Sequence, residues 1–133
     1  MIKARIDIKW NDDNVIKDVE HVADMVLEGA CILVQGQARH HVRIGGGPGP
    51  HPHRTPHIDT GNLSASIEVG DLYKEGNALV REVGNTEQAP YGKYLEVGWH
   101  AHGTGNFFRY PWLYPALELS VGPIRQMVSG IRL

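Results

Sequence analysis

The residues best suited to chemistry in this sequence are its histidines. His51, His53 and His57 form one group, and His100 and His102 a second. Neutral imidazole is a common zinc ligand, and a His-x-His pair can present two nitrogens to one side. A small zinc-dependent enzyme with histidine ligands is therefore one reading. Against it, a metal centre needs ligands held within about 0.2 Å of their ideal distances. The stretch from His41 to His57 that carries the first group contains four Gly and four Pro, which give little to fix a ligand. A solvated Gly/Pro segment tolerates histidine without using it, so no metal ligand is assigned.

Other constellations fall short in the same way. Gly45-Gly46-Gly47-Pro48-Gly49 resembles a phosphate cradle in composition only, because it lacks the Gly-Lys-Ser/Thr ending and its proline removes an amide donor. Cys31, the sole cysteine, falls in an apolar helical stretch and reads as a half-buried structural thiol. Ser64 and Ser66 lack the surroundings of a nucleophile elbow, and no Asp/Glu pair stands out as an acid–base couple. No catalytic residue and no cofactor are assigned, and the chain is expected not to be an enzyme.

The elements that would position these residues follow from periodicity. Ile2, Ala4, Ile6, Ile8 and Trp10 alternate with Lys3, Arg5, Asp7 and Lys9, the pattern of a strand with one buried face. Asn11, Asp12 and Asp13 can cap a helix that begins near Asn14. Val15, Val19, Val22, Val26, Ala30 and Leu33 recur at three- and four-residue spacing, predicting one amphipathic helix to about His40. At about 1.5 Å per residue it spans roughly 40 Å. A loop is then predicted over residues 41–58, mobile because its prolines and glycines supply no core, and long enough to suggest a role of its own. Arg43, His51, His53, Arg54 and His57 are its candidate assembly residues.

After a capped turn at Asp59-Thr60, alternation of Leu63, Ala65, Ile67 and Val69 and a second alternating run over 78–83 predict a hairpin. Tyr91 to Val97 reads as a short helix stopped by Gly98. A last helix is predicted from Pro111, with Gly122-Pro123 expected to kink or interrupt it. The fold class is α+β: a long N-terminal helix packed on a mainly antiparallel sheet, with a C-terminal helix, in a single domain over 1–133.

Composition fits this reading. The chain has 133 residues, 41% hydrophobic and 21% charged, enough for one folded core. Thirteen Lys and Arg against fifteen Asp and Glu give a net charge of −2, with no basic run to bind nucleic acid. One cysteine allows no internal disulfide, and neither a secretion signal nor a membrane span is evident, so a soluble protein made in a reducing cytoplasm is expected. Eight of the ten aromatic residues lie between Tyr91 and Tyr114. Tyr94 and Trp112 are assigned to the core. Trp99, Phe107, Phe108 and Tyr110 are candidates for a partner interface, where large rings contribute most.

Three short motifs carry a family resemblance. They are Thr60-Gly61-Asn62-Leu63-Ser64-Ala65-Ser66-Ile67, the run Tyr91 to Gly98 with Tyr94, Leu95 and Glu96, and Tyr110 to Leu117 with Pro111 and Pro115. In this order the chain resembles the minor tail-component family of long-tailed bacteriophages and prophages, also described as neck, head–tail joining or tail-completion proteins. The resemblance covers roughly residues 14–130. It implies a non-enzymatic virion protein that forms rings and contacts neighbouring neck or tail proteins, located at the tail or head–tail junction. The motif residues Thr60, Gly61, Leu63, Tyr94, Glu96, Gly98, Pro111 and Pro115 then read as architectural: capping the turn into the hairpin, ending the short helix and setting the angle of the last one.

Overall fold

A computed structural model describes residues 2–9, 17–44, 60–100, 107–108 and 111–130. The alternating N-terminal run forms strand β1 (Lys3–Lys9), followed by helix α1 (Lys17–Ile44) and helix α2 (Thr60–Ser66). Strands β2 (Ile67–Val69), β3 (Tyr73–Glu75) and β4 (Ala78–Asn85) come next, then helix α3 (Gly92–Val97), strands β5 (Trp99–His100) and β6 (Phe107–Phe108), and helix α4 (Tyr114–Ser129). The architecture is α+β, with a long helix, an antiparallel four-stranded sheet and a C-terminal helix.

Strand β4 organises the sheet. Along one side it pairs antiparallel with β1, from Lys3↔Gly84 to Lys9↔Ala78. Along the other it pairs with β3 at one end (Tyr73↔Val80) and β2 at the other (Val69↔Val83). Gly76, at φ 59°, takes the first place in the two-residue β3–β4 turn, a left-handed slot that suits glycine. Gly84 is required for a different reason: a Cβ there would lie 2.1 Å from the Ile2 carbonyl oxygen, so β1 could not approach β4 so closely beside any side chain.

Helix α1 lies on the face of the sheet that carries Ala4 and Val83. Cys31, Val34, Ala38 and Val42 of α1 join Leu63, Ile67, Trp112 and Ala116 in one core cluster, while Ala23 and Leu27 meet Leu79 in a second. Cys31 has no exposed surface, and burial pushes its thiol up to about 11. The buried stripe is centred on Ala23, Leu27, Ala30, Val34 and Ala38. Val26 is buried, Val22 and Leu33 are only partly so, and Met25 and Ile32 face outward at 61% and 53% exposure.

Polar side chains lock the layers together. Arg81 of β4 donates from Nε to Asp24 of α1 (3.0 Å) and from Nη1 to the Gly70 carbonyl (2.8 Å). Gln35 and Arg39 of α1 both donate to the Ile67 carbonyl, at 2.8 and 3.1 Å, and Arg39 also reaches the Ser64 carbonyl. Asn85, fully buried, donates to the Ala89 carbonyl (2.8 Å) and accepts from the Ile2 amide (3.1 Å). Burying such groups costs little only because each has a partner.

Four sequence expectations are corrected. Helix α1 continues through Ile44, so residues 41–44 are helical and Val42 is core. Residues 63–66 belong to α2, so Thr60-Gly61 opens a helix; the hairpin is β3–β4, and β2 is only three residues long. Burial explains this: Ser64 and Ser66 are buried with Leu63 and Ile67 while Ala65 is exposed, and Ser66 Oγ donates to the Leu63 carbonyl in helical fashion. Tyr94, assigned to the core, is 60% exposed, whereas Trp112 is buried and donates to the Gly92 carbonyl at 2.8 Å. Of the kink or interruption expected at Gly122-Pro123, the interruption is overturned: helix α4 runs through Pro123, and Gly122 and Pro123 are exposed, so the carbonyl that proline leaves unpaired can turn to water.

Candidate interaction surface

Three features of this fold bear on the candidate surface: a ladder of two paired strands, a glutamate-centred junction, and a groove beside that junction. The ladder is formed by β5 and β6, which set Trp99 opposite Phe108 and His100 opposite Phe107. Three of the four candidate interface residues thus share one two-stranded unit, a pairing that their separation in sequence does not reveal. Tyr110 lies outside the described residues, as do the loop candidates His51, His53, Arg54 and His57. Arg43 stands in the last turn of α1, in helix rather than loop.

The junction is built on Glu96. Helix α3 ends at Gly98, whose φ of 95° turns the chain away and whose amide donates to the Tyr94 carbonyl. One residue before the last of α3, Glu96 is buried and reaches across to the start of α4. Its Oε2 accepts from the amides of Trp112 (2.7 Å) and Leu113 (2.8 Å), and its Oε1 from the amide of Tyr114 (2.8 Å). These are the orphan donors of the α4 N-terminus, where negative charge also meets the positive end of the helix dipole. Pro115 fits the first turn, where no amide is needed. Two of the three sequence motifs are therefore one structural unit. A glutamate capping a helix some sixteen residues further on has no local sequence signal; only the co-occurrence of the two motifs points to it.

Beside the junction runs a groove of about 490 Å³ between the start of β1 and helix α4. Ile2, Ala4, Val97, Leu113 and Leu117 make its apolar wall, with Lys3 and Tyr114 among the residues at its margin. Val97 and Tyr114 are exposed by 51% and 57%. Further exposed apolar residues, Leu119, Val121 and Val128, lie along α4.

Among the described residues, no group of three or more His, Cys, Asp or Glu could hold a metal ion. His40 and His41 are neighbours on α1 with ring centroids 6.1 Å apart. Nε2 of His41 is shielded and has no hydrogen-bond partner, and burial holds this imidazole below its ordinary range. Among the described residues, no helix is long and apolar enough to cross a membrane.

Searches of curated proteins and of solved structures each returned no match. The family model described as "Bacteriophage HK97-gp10, putative tail-component" matches residues 9–98. That span takes in α1, the whole of β2–β4 and the motif ending in Glu96 and Gly98. The chain belongs to the HK97-gp10-like family of bacteriophage tail components.

Proposed function

We propose that this chain is a non-enzymatic structural subunit of the virion that acts in tail assembly or head–tail joining, where copies of it form a ring in contact with neighbouring neck or tail proteins. The family match across residues 9–98 carries this reading. The junction supports it too: Glu96, Gly98 and Trp112 serve to fix helix angles, which is the work of a subunit that must present a rigid surface. The whole of residues 1–133 acts as one domain in this reading, made in the host cytoplasm and incorporated at the tail or head–tail junction. The β5–β6 ladder with Trp99, Phe107 and Phe108 is its candidate partner contact, together with Tyr110. Residues 45–57 are its candidate assembly loop.

The test is made on the phage. With the gene interrupted, electron micrographs are expected to show tails of aberrant length or heads and tails left unjoined, and purified wild-type particles to contain the chain at a fixed multiple per particle. Deletion of residues 45–53 is expected to lower the yield of infectious particles. Normal infectious particles from the interrupted gene would overturn the structural reading, and a single copy per particle would overturn the ring.

A further inference from the structure

Strand β1 lies at one end of the four-stranded sheet, and its pairing with β4 decides which of its backbone groups stay free. The Asn85 amide donates to the Ile2 carbonyl (3.3 Å), so Ile2 and Asn85 form a hydrogen-bonded pair of the antiparallel ladder. In the register Lys3↔Gly84, the alternate residues Ala4, Ile6 and Ile8 then bond to β4 as well, and the amides and carbonyls of Lys3, Arg5 and Asp7 turn outward. Among the described residues no backbone group pairs with them. The side chains of this edge are also incompletely covered. On the face toward α1, Ala4 is buried, but Ile2, Ile6 and Ile8 are only partly so. Ala4 also borders the groove walled by Leu113 and Leu117. On the opposite face Arg5 and Asp7 are exposed and form an ion pair at 3.2 Å.

We infer that the free subunit is a two-fold dimer in which the β1 edges of two copies pair antiparallel about Ile6 and join their sheets into one. The edge is self-complementary in this register. Strand β1 runs from Lys3 to Lys9, so Ile6 is its midpoint and pairing about Ile6 engages its whole length. It sets Arg5 opposite the partner's Asp7, and Asp7 opposite the partner's Arg5, giving two opposite-charge pairs beside the axis. On the face toward α1, Ile6 meets the partner's Ile6, and Ala4 meets the partner's Ile8, which brings a large apolar side chain to the groove beside a small one. The like-charge contact, Lys3 opposite the partner's Lys9, falls at the two ends of the pairing, where solvent and salt screen it most. Lys3 also lines a hollow with Glu68, Glu82 and Glu87, whose charges offset its own. The neighbouring registers match less well: pairing about Asp7 sets Asp7 on Asp7 and Arg5 on Lys9, and pairing about Arg5 gains two Lys3–Asp7 pairs but sets Arg5 on Arg5 at the axis and leaves Lys9 outside the strand pair. Such a contact closes on itself with two copies, so it is distinct from a ring contact and independent of the reading of the chain as a virion subunit.

Sedimentation and residue-resolved hydrogen exchange of the purified chain, over a dilution series, test this. The chain is expected to sediment as a dimer that dissociates on dilution, with the outward amides of Lys3, Arg5 and Asp7 exchanging at least about tenfold faster in the dilute sample than in the concentrated one. The amides of Ala4, Ile6 and Ile8, bonded to β4, serve as the internal reference. Asp7→Arg puts like charges in both central pairs and is expected to raise the dissociation constant at least about tenfold, whereas Lys3→Glu gives both end pairs opposite charges and is expected to lower it by about threefold or more. An equimolar mixture of Asp7→Arg and Arg5→Asp copies is expected to regain the dimer that each loses alone. If a variant does not fold, the dilution series of the unaltered chain decides. A monomer at every concentration overturns the inference, and so does a dimer whose outward amides exchange equally fast at every dilution. Unchanged or tighter association of Asp7→Arg overturns the charge pairing, and unchanged or weaker association of Lys3→Glu overturns the register about Ile6.

Discussion

Glu96 and Trp112 are joined by a 2.7 Å hydrogen bond in which the backbone amide of the tryptophan donates to the carboxylate, and the Leu113 amide shares the same oxygen. The tryptophan ring is in turn anchored to the Gly92 carbonyl at the other end of α3. Glu96→Ala would strand donors at the start of α4 and is expected to lower stability by about 2–4 kcal/mol, with Glu96→Gln intermediate. Urea unfolding measures both. A loss under about 0.5 kcal/mol for the alanine variant would show that the capping contributes nothing.

Two glycines should respond in opposite directions. Gly84→Ala must push β1 away from β4, because its Cβ would meet the backbone of Ile2 and Lys3, and a loss of about 2 kcal/mol or more is expected. Gly36 sits exposed within α1 with nothing within 4 Å of the added carbon, so Gly36→Ala should gain up to about 1 kcal/mol from helix propensity. Thermal melts of the two variants that shift the same way would refute this account of the close approach.

The face of α1 can be mapped by charge. Val26→Asp places a carboxylate in a buried site and should unfold the domain, while Leu33→Asp, at a partly exposed position, should be milder and Ile32→Asp milder still. Glu20→Ala removes only an exposed pair with Lys74 and should change stability by less than about 1 kcal/mol. Any other order among the three aspartates counts against the orientation of the helix.

Acid should weaken the fold partly through His41. Burial, with the nearby His40, holds its imidazole below the ordinary value of 6.5, and Glu96 opposes that shift. Since the folded value is lower than the unfolded one, this contribution is present above about pH 6.5 and is lost as pH falls through the folded value. The melting temperature should drop between pH 7 and pH 5, and His41→Gln should drop less. Identical pH slopes would remove His41 from the acid response.

Much of the fold is legible in the sequence where one periodicity dominates. The alternation over residues 2–8 gives β1 because every second side chain meets α1, and the spacing of Ala23, Leu27, Ala30 and Val34 gives the helix. Reading fails where both sides of a segment are buried by small polar residues. Ser64 and Ser66 are both buried, and Ser66 donates to the Leu63 carbonyl, so the Leu-Ser-Ala-Ser-Ile run alternates in chemistry but not in exposure. Tyr94 illustrates the reverse error, since an aromatic beside a buried leucine need not be buried itself. The Glu96 junction is legible only as the co-occurrence of two motifs: which amides its carboxylate caps depends on how α3 and α4 pack, and side-chain identity does not encode that.

Cys31 offers a practical consequence. With its thiol sealed in the core and pushed up to about 11, the native cysteine is silent toward alkylating reagents while the domain is folded. A new cysteine placed at an exposed position such as Lys3 or Val97 would react alone, without first removing Cys31. One fluorophore or cross-linker could then be set at the groove, or at the strand edge, and followed as the subunit meets its neighbours. Loss of that silence at Cys31 would report, in the same reaction, the fraction of subunits whose core has come open.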